Sequence, residues 1–290
     1  MAPAGSPPTP GPAGAAGTVA IGKDFEVNRL GFGAMRITGP GIWGPPADHD
    51  EAIRVLRRAV ELGVDFIDTA DSYGPEVSEE LIAEALAPYP DGLVIATKAG
   101  LLRDGPGQWR PDGRPEHLRA ALEGSLARLG VEQVTLYQFH RPDRKVPFEE
   151  SVGELVSLRD EGKIAHIGLS NVTVAEIRRA LELTPIASVQ NRFNPTDRSS
   201  DAVVEAAERH GFAFIPWAPV GGHQPGQGDA LAAVAARHGV SPVQVALAWQ
   251  LARSPQVLPI PGTSSVAHLE ENVAAAGLAL DDDDLDRLGR

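Results

Sequence analysis

The stretch Leu30-Gly31-Phe32-Gly33-Ala34-Met35-Arg36-Ile37-Thr38-Gly39-Pro40-Gly41 decides between two architectures. Its apolar part, residues 30–35, reads as a buried strand, and the turn after it tells which kind of sheet that strand opens. An open, doubly wound sheet usually carries a Gly-x-Gly-x-x-Gly phosphate turn after its first strand. Residues 36–41 lack that spacing, so the turn favours a closed barrel.

Seven more apolar runs come later in the chain, at residues 64–70, 93–99, 134–140, 166–170, 187–192, 213–219 and 257–261. Between them lie stretches of helical period at 50–62, 77–86, 115–129, 148–161, 174–183, 200–209, 231–238 with 242–252, and 266–275. Near-continuous apolar strands alternating with helices imply a parallel sheet buried on both faces, and eight such units imply closure. The expected fold class is α/β, a single (β/α)8 TIM barrel. Residues 18–28, alternating polar and apolar around Gly22-Lys23, read as an N-terminal β-hairpin capping the barrel floor. Residues 1–17 hold only Ala, Gly, Pro, Ser and Thr after the Met and read as a disordered tail, which leaves 18–290 for the barrel. The Asp281-Asp282-Asp283-Asp284 run reads as the start of a short terminal helix, since carboxylates favour a helix N-terminus.

A chain of 290 residues without cysteine excludes a disulfide scaffold, a thiol nucleophile and a Cys-ligated metal. The net charge of −13 argues against nucleic acid or an anionic membrane as the main partner. No stretch approaches the ~18–20 apolar residues that cross a bilayer, and none of the histidines shows metal-ligand spacing. A cytoplasmic monomer without a metal is the expectation, with a small molecule as its partner.

Polar residues at the C-terminal strand ends of such a barrel are functional candidates, because the loops after those strands form the active-site face. Three adjacent runs deliver Asp68, Lys98 and His140 to one edge of the mouth, and Tyr73 can fold back over them from its loop. A phenol with a pKa near ~10 is a poor acid, but an ammonium beside it stabilises the phenolate. Asp68 compensates the buried Lys98, and His140 can orient a substrate oxygen. These four groups around one oxygen make a device for protonating a carbonyl as it becomes an alkoxide.

Such a device needs a hydride donor, and the remaining strand ends suit one. Ser170, Asn171 and Gln190 fit the two-sided hydrogen bonding of a carboxamide, and Trp217 offers an aromatic face. Ala218, Pro219 and Gly221 lie in a loop that lets backbone N–H groups approach a pyrophosphate, and Gly262, Thr263 and Ser264 precede another helix. His268 is a candidate for the adenosine end. Trp43 and Trp109 lie in Gly/Pro-rich segments, that of Trp109 at 101–113 reading as a long irregular loop, and both are candidates either for a substrate pocket wall or for covers over the barrel edge.

From about Thr18 onward the chain resembles the aldo-keto reductase superfamily. The resemblance is carried in order by Val64-Asp65-Phe66-Ile67-Asp68-Thr69-Ala70-Asp71-Ser72-Tyr73-Gly74, Ile95-Ala96-Thr97-Lys98, Leu136-Tyr137-Gln138-Phe139-His140-Arg141-Pro142-Asp143, Ile167-Gly168-Leu169-Ser170-Asn171 and Leu269-Glu270-Glu271-Asn272. It implies NADPH-dependent reduction of aldehydes or ketones, with Tyr73 as general acid, Lys98 and Asp68 tuning it, and His140 orienting the carbonyl. It also implies Ser170, Asn171 and Gln190 as carboxamide contacts, Trp217 stacked on the nicotinamide, and Glu271 and Asn272 at the adenine. One departure stands out: the family often places a Lys or Arg after strand eight for the 2′-phosphate, whereas residues 262–268 here carry none. NADH use therefore stays open. Two other readings remain: a cofactor-holding redox-sensing subunit with slow turnover, and a Schiff-base aldolase using Lys98, which Asp68 disfavours by keeping the amine protonated.

Overall fold

The apolar runs and helical stretches take their places in a computed structural model that describes residues 11–220 and 228–289. In chain order the strands are β1 (Thr18–Ile21), β2 (Phe25–Asn28), β3 (Phe32–Gly33), β4 (Phe66–Asp68), β5 (Val94–Ala99), β6 (Leu101–Gly105), β7 (Gln108–Pro111), β8 (Val134–Phe139), β9 (Ile164–Ser170), β10 (Ser188–Gln190) and β11 (Ala213–Phe214). The helices are α1 (His49–Glu61), α2 (Val77–Leu86), α3 (Pro115–Leu129), α4 (Phe148–Asp160), α5 (Val174–Leu183), α6 (Asp201–His210), α7 (Gly228–His238), α8 (Pro242–Arg253), α9 (Val266–Ala274) and α10 (Asp282–Arg287). Local signals set several of these bounds. Pro115 starts α3, and Gly130 ends it in the left-handed conformation that a Cβ would penalise. Thr173 and Ser241 close capping boxes on α5 and α8.

Seven strands form one parallel sheet in the order β3-β4-β5-β8-β9-β10-β11. The eighth apolar run, 257–261, is not a strand, and Pro259 and Pro261 explain it, since neither has an N–H to give a ladder. It still closes the ring. Leu258 N–H donates to Phe214 O at 2.8 Å on the β11 side, and Gly31 N–H donates to Pro259 O at 2.9 Å beside β3. The fold is the (β/α)8 barrel.

Alternation along the strands separates two apolar layers. Ile67, Ile95, Tyr137, Phe139, Ile167, Leu169 and Val189 pack outward against the helices, while Phe66, Ala96 and Leu136 point into the lumen. The β1–β2 hairpin plugs the floor, its buried Val19, Ile21 and Val27 joining that inner cluster. One step further up, the inward positions change from apolar to polar: Asp68, Lys98, Gln138, Ser170 and Gln190. The register is continuous, pairing Asp68 with Ala96, Lys98 with Gln138, and Ser170 with Gln190.

Two expectations need correction. The segment 1–17 is not all unstructured: Pro12–Ala16 form a 3-10 helix with Ala13 fully buried and its N–H donating to Leu62 O at 3.0 Å, while residues 1–10 lie outside the described residues. The segment 101–113 is not irregular either, because β6 and β7 make an antiparallel hairpin turned at Gly105-Pro106-Gly107. The aspartate run does start a helix. Asp281 caps α10, and Asp284 accepts from Arg237 and His238 of α7.

Candidate active site

The polar step at the top of the lumen is a hydrogen-bonded hub. Lys98, wholly buried, directs the three hydrogens of its ammonium to Asp68 Oδ2 at 2.6 Å, Thr69 O at 2.7 Å and the Tyr73 oxygen at 3.3 Å. The other carboxylate oxygen of Asp68 accepts from Gln138 Nε2 at 2.9 Å and Gln190 Nε2 at 2.8 Å. Burial favours the neutral amine, but Asp68 and Tyr73 outweigh it, so Lys98 titrates above its ordinary range and stays charged. An ammonium so held is no Schiff-base nucleophile. Burial pushes the Tyr73 phenol up as well, and the Lys98 charge only partly offsets it. Sequence alone anticipated the offset and not the larger desolvation.

His140 follows β8, with its N–H on Ala99 O at 2.8 Å. Its ring stands edge-on to Tyr73 at 5.8 Å between centroids, and Nδ1 lies 3.4 Å from Ser72 Oγ. Burial first, then the Lys98 and Arg141 charges, hold the imidazole well below its usual range. It is neutral, so one ring nitrogen carries a hydrogen and can donate it, while the other can only accept.

A cavity of about 700 Å³ opens above this hub. Asp68, Tyr73, His140 and Trp109 line it, together with Ser170, Asn171, Gln190, Trp217, Ala218 and Pro219. Gly262, Thr263, His268, Glu271 and Asn272 line the same cavity. The sequence-predicted residues thus converge, with a few exceptions and changes of part. Ser264 lines an adjoining groove of about 510 Å³. Gly221 lies outside the described residues. Gln190 gives its amide hydrogen to Asp68, and Asn171 is engaged within the protein, donating to His140 O and Ser170 Oγ at 3.0 Å and accepting from Trp217 Nε1 at 3.2 Å. Trp43 does not line the cavity; its ring lies 5.7 Å from the Arg103 guanidinium, which makes it a cover over the loop.

Three residues escaped the sequence reading. Gln138 sits at the inward position paired with Lys98, and its register could have revealed it. Arg103 stacks 3.7 Å from the Trp109 ring and donates to five carbonyls, those of Gly41, Ile42, Ser72, Gly105 and Gln108, fixing the β6–β7 hairpin beside the cavity. Trp109 is thereby held edge-on to Tyr73 and His140, at 6.4 and 6.3 Å. The third is Arg36. It lines both the cavity and the groove and has no ion pair or hydrogen bond among the described residues. It stands beside Gly262, where a Cβ would lie 3.5 Å from Arg36 Cγ and 2.5 Å from the backbone oxygen of Gly33. That close backbone approach leaves no room for a side chain at 262, while Arg36, in the 3-10 turn Ala34–Ile37 that follows β3, places a guanidinium beside it.

Fold and site define a barrel enzyme whose mouth couples a buried phenol–ammonium–carboxylate hub to an elongated cleft edged by a free guanidinium. Residues 29–225 and 226–290 match the model of the Aldo/keto reductase family. The chain is 45% identical over 270 residues to pyridoxine 4-dehydrogenase of Escherichia coli, covering 91% of this chain and 94% of that one. It is 53% identical over 266 residues to an uncharacterised oxidoreductase of Schizosaccharomyces pombe, covering 91% and 86%. Among solved structures, the glycerol dehydrogenase of Gluconobacter oxydans superposes with a TM-score of 0.85 at 28% identity, covering 95% and 94%. An aldo/keto reductase of Klebsiella pneumoniae in complex with NADP and acetate superposes with a TM-score of 0.78 at 26% identity, covering 93% of each chain. The chain belongs to the aldo/keto reductase family and is an oxidoreductase.

Proposed function

We propose that the protein reduces aldehydes or ketones to alcohols with NADPH as hydride donor and Tyr73 as general acid. The observation that carries this reading is the Lys98 ammonium donating to the Tyr73 oxygen, which leaves the phenol's own hydrogen to the cavity. His140, neutral at the same wall, orients the carbonyl oxygen and supplies a second hydrogen bond from its ring N–H as charge grows there. Asp68, gripped by Gln138 and Gln190, keeps Lys98 charged through the cycle.

The cleft's donor set fits a dinucleotide phosphate. Trp217 offers a ring face, Thr263 a hydroxyl before α9, and Arg36 an unpaired guanidinium for a phosphate. When bound there, the nicotinamide supplies the hydride. Arg36 takes the place of the missing cation at 262–268, which supports NADPH over NADH with reduced discrimination; equal kcat/KM for the two would remove the preference. The wall that Trp109 makes, and a relative whose name places its reaction on pyridoxine, support ring-bearing substrates.

The test monitors loss of NADPH absorbance with aromatic and aliphatic aldehydes and ketones. Tyr73→Phe lowers kcat by about 10²–10⁴-fold while leaving the NADPH Kd nearly unchanged. Near-full turnover by that variant refutes the assignment, and slow turnover by the unaltered protein favours the redox-sensing subunit.

A further inference from the structure

Some of the charged groups in and beside the cavity are engaged within the protein. Lys98 is held by Asp68, and Arg103 by five carbonyls. Arg36 stands on the Gly262 side. Arg141 is different. It follows His140 directly, is exposed, lines the same cavity as Tyr73 and Trp109, and has no hydrogen bond or ion pair among the described residues. Asp143, two residues on, makes no ion pair with it; its carboxylate oxygens accept the backbone N–H groups of Gly113 and Lys145. The backbone that carries Arg141 is itself fixed, with His140 N–H on Ala99 O and Asn171 Nδ2 on His140 O. An unpaired guanidinium anchored on a rigid strand end beside the reacting centre is poised for a ligand, since its planar fork matches an oxyanion in two parallel hydrogen bonds.

A carbonyl oxygen placed between Tyr73 and His140 leaves the rest of the substrate to the lining that Trp109, Leu101 and Arg141 supply. The first two are apolar and suit a ring; the third suits a negative charge. We propose that Arg141 is the subsite for an oxyanion carried by the substrate, so that the carbonyl compounds turned over best bear a carboxylate or phosphate on a ring-sized apolar body. This rests on the carbonyl-reducing reading above. Proximity of the guanidinium also contributes to keeping His140 neutral, consistent with its place at the same wall.

The experiment compares 4-carboxybenzaldehyde and 4-formylphenyl phosphate with methyl 4-formylbenzoate, a neutral ring aldehyde, using NADPH and the full chain. The expected kcat/KM for at least one of the anions exceeds that of the ester by about tenfold, equivalent to about 1.4 kcal/mol. In Arg141→Gln the ratio falls to about one, the loss residing in KM, while Arg141→Lys recovers part of it. Added salt narrows the ratio in the unaltered protein, because the guanidinium is exposed. A ratio near one in the unaltered protein, or an equal loss on ester and anions in Arg141→Gln, overturns the subsite while leaving carbonyl reduction standing. No turnover of any of the three overturns both.

Discussion

Breaking the Lys98–Asp68 pair from each side in turn separates its structural worth from its chemical one. Asp68→Asn leaves a fully buried ammonium with only Thr69 O and the Tyr73 oxygen, both neutral, and turns an amide N–H₂ toward it at the 2.6 Å now spanned by a charge-assisted bond. The other amide geometry fares no better, since it would face the donors of Gln138 and Gln190. Removing one partner of a buried pair typically costs about 3–5 kcal/mol, and this variant belongs at the upper end. Lys98→Met leaves Asp68 with two amide donors and belongs at the lower end. The double variant has neither uncompensated charge nor donor–donor contact around the ammonium. Its cost therefore falls short of the sum of the singles by about 2–3 kcal/mol. Urea unfolding of all four proteins, monitored by tryptophan fluorescence, reads these differences. Kinetics of the folded variants supply the second readout, with kcat reduced in all three because each loses the charged donor to Tyr73 or its stabilisation. Additivity within about 0.5 kcal/mol would refute the coupling and with it the claim that Asp68 exists to keep Lys98 charged.

Arg36→Ala raises the Kd for NADPH by about 10–100-fold, the worth of a hydrogen bond to a charged group, with Arg36→Lys between; a fluorescence titration showing an unchanged Kd would return the phosphate to some other donor. Asp71 offers a pH test. Burial and the Glu79 charge push its carboxyl up to about 8, and its buried Oδ1 has no partner. Between about pH 4 and pH 8 the folded chain thus holds a proton that the unfolded chain has released, so this group makes stability fall as pH rises through that window. Asp71→Asn flattens the dependence of Tm on pH between about 5 and 8, and parallel curves for the two proteins would contradict the assignment.

Much of the barrel was legible because its signals are local. Helices α2, α3 and α5 begin and end where apolar period, Pro115, Thr173 and Gly130 place them. Asp68, Lys98, His140 and Tyr73 could be named because a parallel strand fixes which of its ends bears the loops. The failures have physical causes too. Gly105-Pro106-Gly107 looks like a breaker in an irregular loop, yet it is the turn of a hairpin whose pairing depends on Arg103 reaching carbonyls as far away as Gly41. Residues 257–261 carry the composition of a strand, but Pro259 and Pro261 limit them to the bonds that close the ring.

By itself the sequence determined which residues face the lumen, since alternation along each strand is a property of the backbone and needs no partner. Only the tertiary structure decided what they do there. Gln190 donates to Asp68 across the lumen, from 122 positions away in the chain, because ring closure and strand stagger bring non-neighbouring strands within reach. The same closure presses Gly262 against Gly33 and sets Arg36 beside it, and it leaves Arg141 unpaired at the mouth among the described residues. Periodicity is written in a few consecutive residues, whereas the pairing of charges across a barrel depends on its radius and register, which no single segment contains.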